Sequence, residues 1–298
     1  MNYSKAIKYN QEQATKMGWE PDWFIPEHKV FDTDLIDAIA DFQGEYGLTV
    51  DGYCGPSTYR RIYNARIADL EVVKAEVPSK TDAHLIFAGE ALPIDWDRVV
   101  LWNEPGGLAS NEGCYKNMIG QPKRDIRMFV NHWDVCLNSA TCQKVLNKRG
   151  ISVHLLVDND GTIYQTMDLQ HIGWHASGRN YNAWSVGVEI SNVYYTKYQS
   201  WYVDNGFGER PIVRGAKVHG RSMDDHLDFY DVQKAAMRAI WKCMHEHIGL
   251  PLEAPPIDAV YPPAQRGEFR GFTHHYNFTD GKIDCGGWDI RKELEKLK

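Results

Sequence analysis

From residue 127 onward the chain carries short apolar runs, too short for ordinary helices and separated by turn residues. Arg127-Met128-Phe129-Val130-Asn131, Ser152-Val153-His154-Leu155-Leu156-Val157 and Ser185-Val186-Gly187-Val188-Glu189-Ile190 are such runs. Their nearly continuous apolar character is what strands buried on both faces require. Asp158-Asn159-Asp160-Gly161 then turns the second run back into Thr162-Ile163-Tyr164-Gln165, which is hairpin chemistry. A helix follows at about 229–248, with Val232, Ala236, Ile240 and Cys243 on one stripe. Asp228 and Asp231 mark its start, and Gly249 and Pro251 stop it. The pattern predicts an α/β domain: a mixed central sheet with packed helices. The Tyr-rich stretch 192–228 between strand and helix reads as an insertion beside the site.

Residues 1–75 read differently, as a small all-α domain. Asp32-Thr33-Asp34 supplies helix-start chemistry, and Leu35, Ile39, Phe42 and Tyr46 follow at helical spacing before Gly47. Gly55-Pro56-Ser57-Thr58 opens another helix, and an amphipathic stretch at about 4–17 packs as a third. Residues 76–90 lose this patterning and are expected to be a linker, leaving 91–298 as the second domain. The length of 298 residues agrees with two domains at roughly 150 residues each.

Composition excludes several classes. Apolar residues make up 43% and the net charge is −7. No stretch approaches the roughly 18 apolar residues that span a bilayer, so no membrane insertion is expected. An acidic chain without basic clusters argues against nucleic acid as a partner. The N-terminus lacks the apolar core of a secretory signal, which predicts synthesis in the cytoplasm without a leader. Six scattered cysteines do not make a disulfide scaffold. Cys136 and Cys142 are the one close pair and read as free thiols. A monomer is expected.

Histidine is abundant, at 12 residues. His132 ends a strand, His274 and His275 stand together, and Asp284 and Cys285 follow ten residues later. Catalytic zinc takes three N, O or S ligands and keeps a fourth position for water, whose pKa it lowers to near 7. With so many histidines, spacing alone does not select one trio. Neighbours on an extended strand point to opposite faces, so one member of each pair should reach a metal.

Two resemblances narrow this. Phe42-Gln43, Gly47-Leu48, Asp51-Gly52, Gly55 and Thr58 occur in the order found in the helical peptidoglycan-binding domain, which 1–75 therefore resembles. Further on come Phe129-Val-Asn-His132, Ser152 to Gln165, Gly173-Trp-His-Ala176, Asn182 to Glu189, and His274…Lys282-Ile-Asp284-Cys-Gly286. These blocks resemble the type-2 N-acetylmuramoyl-L-alanine amidases, a family that includes phage endolysins, recycling amidases and peptidoglycan-recognition proteins. The resemblance implies Zn2+ held by His132, His274 and Asp284, with Cys285 the alternative third ligand. It implies Glu189 as general base and Lys282 as oxyanion stabiliser, with His175, Trp174 and Asn182 on the substrate side. His154 reads as a structural histidine. The implied activity is hydrolysis of the amide joining N-acetylmuramic acid to L-alanine, with peptidoglycan the partner. A wall-binding module without a leader resembles an endolysin that reaches the periplasm by holin-type release. The alternatives are a non-catalytic recognition protein, which should lack the third ligand, and a recycling or effector amidase.

Overall fold

The side chain of Asn2 accepts a hydrogen bond from the Lys5 amide and that of Asp32 from the Leu35 amide, so each opens a helix. These are α1 (Tyr3–Met17) and α2 (Thr33–Glu45), and α3 spans Pro56–Ala68. The structure, a computed structural model, describes residues 1–68 and 77–298 and divides into two units, Met1–Val72 and Val73–Lys298. Within the first unit the loop between α2 and α3 is organised by one buried side chain. Gln43 Oε1 accepts from the amides of Asp51 and Gly52, each at 2.9 Å. Its Nε2 faces Asp51 Oδ1, the Tyr53 carbonyl and Thr58 Oγ1 at 2.8–3.1 Å. From the other side, buried Asn10 donates to the Gly52 carbonyl and accepts from the Cys54 amide. Gly52 has φ +72°, and a Cβ there would meet Ile36 at 2.6 Å, so both conformation and space demand glycine. Gln43, the Asp-Gly pair and Thr58 thus form one hydrogen-bonded knot.

The second unit is the expected mixed sheet with packed helices. Its strands are β1 (Val99–Leu101), β2 (Met128–Trp133), β3 (Leu155–Val157), β4 (Ile163–Gln165), β5 (Ser185–Ile190) and β6 (Gly271–His274). The spatial order is β6-β2-β5-β3-β4-β1, and every pair is parallel except the β3–β4 hairpin. Helix α4 (Ser139–Arg149) packs along β5, and α5 (Asp231–Cys243) carries Trp241 onto Phe272 at 5.7 Å. Phe129 and Phe272 pack at 5.9 Å, and Trp241 Nε1 donates to Asn131 Oδ1. One side of β2 and β6 is therefore core, which leaves alternate residues, His132 among them, on the opposite side.

The seam differs from the expected linker at 76–90. Residues 69–75 of the expected first domain and residue 76 of the linker lie outside the described residues. His84–Phe87 and Glu90–Pro93 form an antiparallel hairpin with Leu85 fully buried. The Gln165 side chain pairs with the Ile86 backbone, and Asp168 accepts from the amides of Ala88 and Gly89. These hydrogen bonds reach about 80 residues along the chain, so local composition does not reveal them.

The 192–228 segment is held by Arg210, which is 2% exposed. Its guanidinium lies between the rings of Tyr202 and Tyr230, 4.2 and 4.3 Å from their centroids. It donates to the carbonyls of Asp228 and Ser191 and to the side chains of Gln233 and Asn159. All six cysteines are free and buried.

Replacing Gln43 with Ala leaves two amides of the α2–α3 loop without their acceptor, at a cost of about 2–4 kcal/mol. Differential scanning calorimetry of the full chain should show the transition of the first unit falling while that of the second stays in place.

Candidate metal centre and groove

His132 lies in β2 on the side away from Phe129, Asn131 and Trp133. Glu189 occupies the register position beside it on the adjoining β5, on the same side of the sheet, and is half-buried. The His132 Nδ1 atom lies 3.0 Å from His275 Nδ1 and 3.1 Å from Asp284 Oδ2, and His275 Nδ1 lies 3.0 Å from the same oxygen. All three residues are buried. Tetrahedral bonds of about 2.0 Å would set donor separations of roughly 3.3 Å, close to this triangle.

The structure brings His275, and not His274, to this cluster. Phe272 faces the core beneath α5, so two residues on His274 faces that way too, and its Nε2 donates to the Trp288 carbonyl at 3.0 Å. At His275 the backbone leaves β6 for a 3-10 turn, and its ring swings to the other side. The second pair resolves likewise: Asp284 faces the histidines, whereas Cys285 is fully buried in the core, and burial pushes its thiol well up. The signal that separates His274 from His275 is the phase set by Phe272.

Hydrogen bonds fix the state of His132. Ser185 spends its one proton on the Tyr181 carbonyl at 2.6 Å, so at its contact with His175 Nε2 it accepts. Burial holds His175 well below the ordinary histidine range, so it is neutral and its Nδ1 carries a lone pair. That lone pair accepts from His132 Nε2 at 3.1 Å. His132, held to about 4 by burial and then by its neighbour His275, is neutral as well. Its Nδ1 is therefore a bare lone pair aimed at a carboxylate. Burial alone would raise Asp284, but its neighbour His275 holds it well below the carboxylate range. Electron-pair donors confront one another here, and a cation is what such a set accommodates. His275 Nε2 meets Ser177 Oγ at 3.0 Å, a second outer partner of the kind that orients metal-binding imidazoles.

The expected substrate-side residues divide. His175 packs so tightly on the sheet that a Cβ on Gly187 would lie 2.5 Å from its ring, and both its nitrogens are used within the protein. Asn182 Oδ1 accepts the amides of His175 and Ala176, so it shapes that turn. Trp174 is 40% exposed and available to a ligand. It borders a groove of about 1090 Å³ lined also by Tyr115, Lys116, Arg149, Arg179, His275 and Lys282, and none of the described residues on its walls is acidic. The Lys282 charge is close enough to press His132 downward. His154 is structural: its Nδ1 accepts the Gly187 amide and its Nε2 donates to the His171 carbonyl. Motif reading missed Arg124, half-buried beneath this region, where it donates to the Leu169 and Ser185 carbonyls and loss of solvent lowers it to about 9.

Among the described residues a second close set of donors is Asp134, Cys136 and Cys142. Its carboxylate already accepts from Cys136 and Asn192 amides and the Ser191 hydroxyl, and burial pushes it up to about 7. Burial likewise pushes the Cys142 thiol well up, so this set favours its protonated forms.

Comparisons with known proteins agree with both units. Residues 8–62 match the peptidoglycan binding domain family, and residues 122–286 match the family described as N-acetylmuramoyl-L-alanine amidase. No curated protein matches the chain in sequence. Similar solved structures include the endolysin N-acetylmuramoyl-L-alanine amidase LysCS from Clostridium intestinale URNW, at 14% identity and TM-score 0.39, covering 67% of this chain and 94% of that one. A Se-Met derivative of AmpD is similar at 18% identity and TM-score 0.35, with coverage of 66% and 93%. Drosophila peptidoglycan recognition protein PGRP-SA follows at 17% identity and TM-score 0.30, with 59% and 79%. The amidase match takes in more than half of the sequence, and the chain belongs to the N-acetylmuramoyl-L-alanine amidase family.

Proposed function

We propose that the chain is an endolysin-type enzyme that cleaves the amide between N-acetylmuramic acid and L-alanine, with zinc held by His132, His275 and Asp284. The observation that carries the metal reading is the bare His132 Nδ1 facing Asp284 and His275 across about 3 Å. Bound zinc supplies Lewis-acid polarisation of the carbonyl and a water of lowered pKa. Glu189, level with His132 on the next strand, accepts a proton from the attacking water. It returns that proton to the L-alanine nitrogen as the carbon–nitrogen bond breaks. Lys282 faces the developing oxyanion from the groove wall. Trp174 offers an exposed indole to a sugar face, and the cationic walls suit the carboxylates of a stem peptide. His175 is assigned to orienting His132 rather than to substrate.

The first unit, with its own match to a peptidoglycan binding domain, raises the effective concentration of the second at a polymeric wall. A soluble recycling enzyme has no use for that. A non-catalytic receptor has no use for a third donor such as Asp284. Release to the periplasm by a holin is part of the endolysin reading.

Digestion of purified sacculi should release new L-alanine amino termini without new glycan reducing ends. Chelation should abolish this and zinc should restore it; indifference to chelator would sink the metal reading. Glu189→Gln should lower kcat by about 10²- to 10⁴-fold with metal content unchanged. Burial holds both His132 and His274 at about 4, down from the ordinary 6.5, so the folded state resists protonation that the unfolded chain accepts. In the metal-free protein their stabilising effect is complete above pH 6.5 and disappears as pH falls toward 4, at about 3 kcal/mol per histidine. Denaturant melts across that window check it.

A further inference from the structure

We propose that the 192–228 segment is a brace for the loop that presents Lys282 and Asp284, with His219 its positioning residue. The role at a metal rests on the function proposed above; the brace itself is a matter of geometry. Lys217–Val218 pairs antiparallel with Arg221–Ser222, leaving His219 and Gly220 as the two turn residues. Both have positive φ, +54° and +72°. A two-residue turn of that kind ordinarily takes Asn-Gly or Asp-Gly, so a histidine at its first position is unusual. The ring lies where it can act: Nε2 donates to the Lys282 carbonyl at 2.9 Å, and the His219 backbone amide donates to the Asp258 carbonyl at 2.9 Å. A second histidine of the segment, His226, puts its Nε2 3.1 Å from the Gly286 carbonyl while its ring stacks on Tyr194. Asp284 therefore sits between two carbonyls, Lys282 and Gly286, that both face imidazole nitrogens of the segment.

Packing supports the same reading. A Cβ on Gly286 would lie 2.4 Å from Met223 Sδ and 2.7 Å from Val218 Cγ2. One on Gly287 would lie 2.5 Å from Val213 Cγ1. The hairpin thus presses on the loop at a distance that only glycine allows. At its other end the segment is tied to the sheet and α5 by Arg210, through Ser191 and Gln233. The brace runs from the sheet and α5 to the loop that carries one donor of the cluster.

The test compares the full-length wild type with His219→Asn and His219→Gln. Asn suits the turn but is too short to reach the Lys282 carbonyl, whereas Gln carries an amide donor at nearly the reach of Nε2. Zinc affinity, read by competition with a chromophoric chelator, should fall about 10- to 100-fold in His219→Asn and recover in His219→Gln. Hydrogen exchange at the 282–287 amides, measured without metal, should speed up in His219→Asn and return toward wild type in His219→Gln. Near-UV circular dichroism checks that each variant folds. Wild-type exchange in a folded His219→Asn overturns the brace. If wild type fails to bind zinc, the metal reading falls, and the exchange data still decide the brace.

Discussion

A single lone pair, on His132 Nδ1, governs the architecture around the cluster. It stays bare because His132 Nε2 is committed to His175, and His175 to Ser185. That relay works only if the His175 ring lies flat against β5, which is why Gly187 has no room for a side chain. The strand alternation that turns Phe129 and Trp133 into the core turns His132 out of it. Register then brings Glu189 alongside. Hydrogen bonding, glycine placement and sheet phase are here one constraint seen from three sides.

The two units achieve order by related means. In the first, Gln43 organises a loop from within; in the second, Arg210 does the same for a much longer segment. Both are buried polar side chains that divide their hydrogen bonds between backbone and side-chain partners. A buried polar group of this sort specifies one conformation, because any other leaves it unsatisfied. Apolar packing alone would not define the path of 192–228 so narrowly.

Much of this was legible in the sequence, for identifiable reasons. The strands announce themselves by apolar runs, and α2 by Asp32 and its helical spacing. His132, Glu189 and Asp284 fall in blocks whose order is distinctive. His275 was hidden because a pair of adjacent histidines has no intrinsic phase, and the short β6 that sets the phase was itself not apparent. The 84–93 hairpin was hidden because its partners, Gln165 and Asp168, lie far along the chain. Asn182 and His175 sit in the matched block, yet sequence does not distinguish a side chain that meets a ligand from one that holds its neighbour.

The Gln43 knot has a further consequence for how such a module diversifies. The loop between α2 and α3 takes its shape from Gln43 and Asn10, which are buried, and Gln43 forms part of the floor of a nearby depression. Tyr9 packs on Tyr53 of the loop, whereas the Leu48, Thr49 and Ser57 side chains on that rim stand outside the knot of Gln43 and Asn10 and are freer of duty to the loop. Evolution is then free to exchange them one at a time, altering what the rim touches while the backbone beneath it stays as it is.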